Sequence, residues 1–214
     1  MKSIFKKFDD YLIGLINDRI KNDFLDKFMY RVTDLGGAIF STVFSFVLLL
    51  LGNNTIRLIG LEALVVLALS QIVVHSLKVL LSRERPYTII QQLNTFGINL
   101  KDYSFPSGHT TASFSIATVL ALNIPNIFVI TYLIATIIGV SRIYLGVHYP
   151  TDVLAGIILG IGSSILVHMF LLTYIDELAV ILGLIYWLIQ IFGGIYNIIV
   201  KWRGLYDNGK LFKK

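Results

Sequence analysis

Apolar residues run in long blocks from about residue 35 onward, and short polar stretches divide them. The first block, about Leu35–Leu51, carries no charge, and Asn53-Asn54-Thr55 is predicted to form a tight connection after it. A second block, about Leu58–Leu81, is long enough to cross a bilayer and project Lys78 at its far end. Ser82–Phe105 is the longest polar segment, with Pro86, Asn94, Gly97, Lys101 and Asp102. Irregular backbone cannot lie exposed in hydrocarbon, so this segment is predicted to cap the helices at the membrane surface. A third block runs from His109 to Ile124, Pro125 marks a turn, and a fourth runs from Ile127 to about Ile143. The fifth, about Val153–Leu172, holds Gly156 and Gly160, a spacing of small residues that lets helices approach closely. Tyr174-Ile175-Asp176-Glu177 interrupts, and a sixth block extends from Leu178 to Val200 before a basic tail, 201–214.

The pattern before residue 30 is different. Phe5, Phe8, Leu12, Ile16, Ile20, Phe24 and Phe28 recur at helical spacing, and lysines and aspartates fill the opposite face. This predicts an amphipathic helix, either lying in the membrane interface or packed on the protein's own membrane-edge surface. Its charges are too frequent for a span. The expected fold is therefore all-α: an integral membrane helical bundle of six transmembrane helices over residues 31–200, with the amphipathic interfacial helix over 1–30. No internal repeat is detectable.

Composition agrees. The chain is 56% hydrophobic and 14% charged, with a mean hydropathy of +0.76, whereas a soluble domain carries about 25% charged residues. Without cysteine there is neither a disulfide framework nor a thiolate metal site. Charges follow Met1 too closely for an apolar leader, so no cleaved signal is expected. The net charge of +5 clusters at membrane edges, which suits anionic lipid headgroups better than nucleic acid. Glu62 and His168 fall within apolar blocks and are read as hydrogen-bonded packing residues.

Counting crossings places three polar stretches on one membrane face: Lys78 to Pro86, Pro106-Ser107-Gly108-His109, and Ser141 to Asp152. Ionisable groups there need a partner, water or a task. Lys78, Arg85 and Arg142 bring three positive charges. Arginine offers a planar fork of donors suited to phosphate oxygens, and lysine a point charge. Gly108 lets a ligand approach the backbone, and Ser107 can cap a helix whose N-terminal amides favour an anion. His109 and His148 can change charge near neutral pH, and Asp152 is placed to orient one of them. Singly, each residue has a plainer reading: an edge arginine snorkels, Ser-Gly caps a helix, and an edge histidine is solvated. Together on one face they point to a phosphate site.

These stretches resemble the signature of the type 2 phosphatidic acid phosphatase (PAP2) superfamily, in its bacterial membrane lipid phosphatase branch. That signature is Lys, six residues, Arg-Pro; then Pro-Ser-Gly-His; then Ser-Arg, five residues, His, three residues, Asp. Lys78, Arg85, Pro86, Pro106, Ser107, Gly108, His109, Ser141, Arg142, His148 and Asp152 fill it in order. The first 77 residues and the last 62 carry no motif. The resemblance implies that His148 attacks phosphorus to form a phosphohistidine, that Asp152 holds its ring and that His109 protonates the leaving oxygen. It implies that Lys78, Arg85, Ser107, Gly108 and Arg142 bind the phosphoryl oxygens. It also implies no cofactor and no divalent metal.

The expected function is a multi-pass membrane phosphatase acting on a lipid phosphate or diphosphate: phosphatidic acid, phosphatidylglycerophosphate or undecaprenyl diphosphate. A lipid phosphotransferase using the same phosphohistidine, and a transporter or scaffold with a dead site, are the alternatives. Soluble vanadium haloperoxidases share the motifs, but this composition argues against a soluble enzyme. Membrane lipids are the expected partners, with no nucleic acid, and the sequence leaves the oligomeric state open. Of 18 Lys and Arg, only Arg57 falls on the face opposite the motifs. The positive-inside rule would put the motif face, with the site, in the cytoplasm. The family's usual placement is extracytoplasmic, which is the orientation adopted here.

Overall fold

The computed structural model describes residues 2–90, 93–171, 174 and 190–191. The chain divides into two compact units, Met1–His168 and Met169–Lys214. The first contains all the residues singled out above for chemistry. The described residues are helical or irregular, with no strand among them. The helices are α1 (Lys2–Gly14), α2 (Asp23–Val32), α3 (Ala38–Leu51), α4 (Asn54–Leu81), the short α5 (Pro86–Ile89), α6 (Gly108–Asn123), α7 (Phe128–Tyr144) and α8 (Pro150–Leu171).

The second to fifth apolar blocks become α4, α6, α7 and α8, within a few residues at each end. Three helical stretches among the described residues are long and apolar enough to cross a membrane: Asn54–Ile89, Pro125–Tyr144 and Pro150–Leu171. A fourth is counted if Asp23–Gly36 and Ala38–Leu51, bent by 54° to each other, form one span. The expected first span is thus shortened at its start, where Gly37 adopts an extended backbone and begins α3 afresh. The expected sixth span and the basic tail lie outside the described residues, apart from Gln190 and Ile191.

The expected N-terminal helix is not continuous. A π turn at Leu15–Arg19 ends α1, and Asn22 starts α2 by accepting a hydrogen bond from the Leu25 amide. Its inward face mixes polar and apolar residues, with Ile13 buried between Asp9 and Asn17, while Lys6, Lys7 and Asp10 are exposed. Asp9 is buried, and buried Asn17 donates to the carbonyls of Tyr144 and Asn94. The phenylalanines face outward, with Phe5 58% and Phe24 75% exposed. One face of α1 is thus packed on the protein and its phenylalanines are exposed.

Buried α6 lies at the centre of the bundle, packed by α3, α4, α7 and α8. It carries Thr110, Thr111, Ser113, Ser115 and Thr118, all buried. Thr111, Ser113 and Thr118 return their hydroxyls to the carbonyl four residues earlier, so small side chains pack closely without an orphaned donor. α8 comes against it through two glycines. A Cβ on Gly156 would lie 2.9 Å from the Ser107 carbonyl oxygen, and one on Gly160 2.7 Å from that of Thr111. Gly60 does the same between α4 and α3, where a Cβ would sit 2.8 Å from the Ser45 carbonyl oxygen. At the end of the bundle away from Lys78, Glu62 of α4 is buried against His168 Nδ1 at 2.8 Å, and Asn123 Nδ2 donates to it at 2.8 Å. The structure thus gives Glu62 and His168 each other as partners.

Gly160→Ala should overpack the α6–α8 contact, at about 1–3 kcal/mol, and lower the thermal midpoint of detergent-purified protein. Gly162→Ala in the same helix, where an added Cβ meets nothing within 4 Å, should leave the midpoint equal or higher. Differential scanning fluorimetry of the two variants checks the contrast.

Candidate active site

The end of α4, the segment 82–107, the start of α6, the end of α7 and the start of α8 meet at one end of the bundle. A cavity of about 510 Å³ opens there, lined at its polar end by Lys78, Arg85, Asp102, Gly108, His109, Arg142 and His148. Six of the eight sequence-predicted site residues therefore share one cavity. Ser107 and Asp152 are fully buried behind it. Ser107 caps α6, its Oγ facing the Thr110 amide and 2.9 Å from Thr110 Oγ1. Ser141 turns its hydroxyl to the Ile138 carbonyl of its own helix.

His148 sits between α7 and α8 with its Nε2 3.3 Å from Arg85 Nη1. Its Nδ1 lies 3.6 Å from Asp152 Oδ2 and has no hydrogen-bond partner. An Nδ1–H tautomer fits this arrangement, with the Nε2 lone pair directed away from the carboxylate. Asp152 is otherwise fully engaged. It accepts from Ser104 Oγ at 2.5 Å, from the Tyr149 amide at 2.9 Å and from Arg83 Nη1 at 2.6 Å. The His109 ring lies near the bend before α3, where Gly36 and Gly37 leave room for it. A Cβ on Gly37 would stand 3.6 Å from His109 Nε2, and one on Gly36 3.0 Å from the His109 carbonyl oxygen.

The three cations are held differently. Arg142, 3% exposed, donates from Nη1 to Thr33 Oγ1 at 2.7 Å, and its Nε is buried without a partner. Arg85 donates to the Val147 carbonyl at 2.8 Å and to Asp102 Oδ1 at 2.6 Å. Lys78 meets the other Asp102 oxygen and the Tyr103 carbonyl. Burial alone would raise the Asp102 carboxyl, but Lys78 and Arg85 outweigh it and hold the group at about 2. A carboxylate thus sits on two of the cations, and a buried guanidinium N–H stays open beside the cavity. Such an orphaned donor calls for a ligand.

Sequence reading left Asp9, Thr33, Arg83, Asp102 and Ser104 without roles. Arg83 had a signal, a third basic residue between Lys78 and Pro86. Asp9 and Thr33 had none, because Thr33's partner Arg142 lies 109 residues away and Asp9's partners Arg83 and Thr151 lie 74 and 142 away.

Residues 59–176 match the model of the PAP2 superfamily. The chain is 33% identical over 111 residues, 52% of it and 55% of the other protein, to a bacitracin transport permease protein BcrC of Bacillus licheniformis. It is 31% identical over 120 residues, 56% of it and 58% of the other, to an undecaprenyl-diphosphatase of Sulfolobus acidocaldarius. The chain thus spans little more than half the length of these curated relatives. The crystal structure of Aquifex aeolicus LpxE superposes with a TM-score of 0.67 at 31% identity, over 75% of this chain and 94% of that one.

The His148 imidazole should resist protonation. Burial pushes it down, Asp152 pulls it up, and Arg142 and Arg85 push it down again, to about 3. An unfolded imidazole takes a proton near pH 6.5. The folded state therefore loses stability as pH falls through 6.5 towards 3, and nothing from this group is at stake above that window. Ring-labelled histidine NMR in micelles should show His148, assigned by its absence in His148→Ala, neutral at pH 5.

Proposed function

The chain belongs to the PAP2 superfamily, and from that premise we propose that it is a membrane lipid phosphatase working through a phosphohistidine on His148. One observation carries the reading: a single cavity joins the cluster of cations and histidines to an apolar wall. Beyond Lys78 the lining continues along α4 past His75, Val74 and Gln71 to a more apolar stretch at Ala68, Leu67 and Leu64, with Ala38, Ser41 and Thr42 of α3 also lining it. Lys78 and Leu64 are separated by ~21 Å along a helix axis at 1.5 Å per residue. A ligand with phosphate at one end and hydrocarbon at the other matches both parts.

In this reading His148 Nε2 attacks phosphorus while the Nδ1 proton faces Asp152, which steadies the imidazolium that forms. His109 gives a proton to the departing oxygen and then takes one from the water that cleaves the phosphohistidine. Lys78, Arg85, Arg142 and the Gly108 amide at the start of α6 neutralise the phosphoryl oxygens as charge builds, while Ser107, whose own amide is bonded to the Asp152 carbonyl, caps that helix. Phosphoryl oxygens take over the bonds that Asp102 holds with Lys78 and Arg85. Protein cations supply all the positive charge, so no divalent metal enters. Phosphatidic acid, phosphatidylglycerophosphate and undecaprenyl diphosphate each present a terminal phosphoryl group on an apolar tail.

His148→Ala should abolish turnover of phosphatidic acid and of undecaprenyl diphosphate in mixed micelles without changing expression or membrane insertion. Wild-type protein quenched during turnover of 32P-labelled substrate should carry an acid-labile phosphoryl group that the variant lacks. Excess EDTA should leave activity in place, and vanadate, which mimics the trigonal-bipyramidal transition state, should inhibit. Normal turnover by His148→Ala, or loss in EDTA restored by magnesium, contradicts the mechanism.

The proposed topology has six spans, the sixth over residues 178–200, with α1 and α2 at an extracytoplasmic interface beside the site. Exposed Asn99 lies on the site's face and exposed Asn54 at the far end of α4. The chain lacks cysteine, so Asn99→Cys and Asn54→Cys can be compared on a clean background in intact cells. An impermeant maleimide should label the first and spare the second. The reverse pattern would place the site in the cytoplasm.

A further inference from the structure

Asp9 belongs to α1, outside the stretch that matches the family model, yet its carboxylate reaches the start of the helix that delivers Asp152. It is 2% exposed. It accepts from the Thr151 amide at 2.9 Å, from Thr151 Oγ1 at 2.7 Å and from Arg83 Nη2 at 2.7 Å. The first amides of any helix lack intrahelical partners, and the positive end of the helix dipole favours an anion there. Asp9 therefore caps α8 from another helix. The Arg83 guanidinium then bridges two carboxylates. Nη2 binds Asp9, while Nη1 binds Asp152 Oδ1 at 2.6 Å and Thr151 Oγ1 at 2.8 Å. Its plane is further seated over the Tyr149 ring, 4.0 Å from the centroid.

This arrangement leaves Asp152 little freedom. Arg83 fixes Oδ1, and Ser104 with the Tyr149 amide fixes Oδ2, so the oxygen that faces His148 Nδ1 has a set position. Without Asp9, one arm of Arg83 loses its acceptor, the Thr151 amide is uncapped, and the guanidinium can rotate away from Asp152. We propose that Asp9 is a positioning residue for the reaction, acting through Arg83 and Thr151 to hold Asp152 against His148. The inference rests on reading His148 as nucleophile and Asp152 as its orienting group. It assigns α1, which contributes no lining residue to the cavity, a part in turnover.

The test uses full-length protein in mixed micelles of phosphatidic acid. Asp9→Ala should lower kcat at least tenfold with KM within twofold of wild type, and slow phosphoenzyme formation by the same factor in single-turnover quench experiments. Asp10→Ala, an exposed neighbour with the same charge change, should match wild type. In the Asp152→Asn background, measured by single turnover, Asp9→Ala should add less than twofold, because the group it positions is already disabled. Full additivity in that cycle overturns the proposal, as does wild-type kcat in Asp9→Ala. Should Asp9→Ala fail to fold, Asp9→Asn decides: it keeps an acceptor for Thr151 but weakens the bond to Arg83, so wild-type kcat there reduces Asp9 to a cap and overturns the proposal. His148→Ala runs alongside. If that variant turns over normally, the underlying reading has failed. If it is inactive while the Asp9 variants are normal, only the role of Asp9 has failed.

Discussion

Lys78, Arg85 and Arg142 are each less than a tenth exposed and line one cavity. Like charges held that close, away from water, repel one another and are costly to desolvate. The surroundings answer this constraint. Asp102 spans Lys78 and Arg85, main-chain carbonyls of Val147 and Tyr103 take further N–H groups, and Thr33 takes one from Arg142. The partners come from the bend before α3, the segment 82–107 and the turn before α8, so satisfying the cations also fixes where those connections lie. Arg142 Nε is left over. A site whose cations are held in place by fixed partners, with a buried Arg142 N–H still unpaired, is preorganised for an anion.

The bundle beneath obeys a complementary rule. Close helix approach in lipid needs small residues, and buried hydroxyls need acceptors. α6 meets both demands with serines and threonines bonded to its own backbone, while Gly156 and Gly160 bring α8 near enough to set Asp152 behind His148. The precision of the polar end is inherited from packing at mid-depth.

Hydropathy located the helices because the apolar blocks of a membrane chain are long and their interruptions are polar. The motif spacing located the cavity residues because each lies at a block end, where the chain turns at the same face. The rest was hidden for physical reasons. A periodic pattern tells which side of a helix is apolar but not what the polar side touches. In α1, Asp9 turned inward together with Ile13, and the phenylalanines outward. Asp9 and Thr151 are 142 residues apart, and nothing local to either announces the other. Asp102 looked like one more charge in a surface loop, although its neighbours hold its carboxyl well below the usual range. The bend at Gly37 was invisible because a glycine pair between a polar segment and an apolar one reads the same whether the chain continues or turns.

The hairpin of α3 and α4 is pinched where Gly60 meets the Ser45 carbonyl and lined by the cavity from Leu64 onward. Two helices that touch near their loop and part towards the other end form a wedge, like a clothes peg held open at the jaws. A lipid that slides into such a wedge arrives from the bilayer and travels in two dimensions. Its supply is then set by how many of its molecules share the leaflet with other lipids, not by how many share the water. Diluting the substrate with inert lipid would starve the wedge, while adding buffer at fixed lipid composition would not.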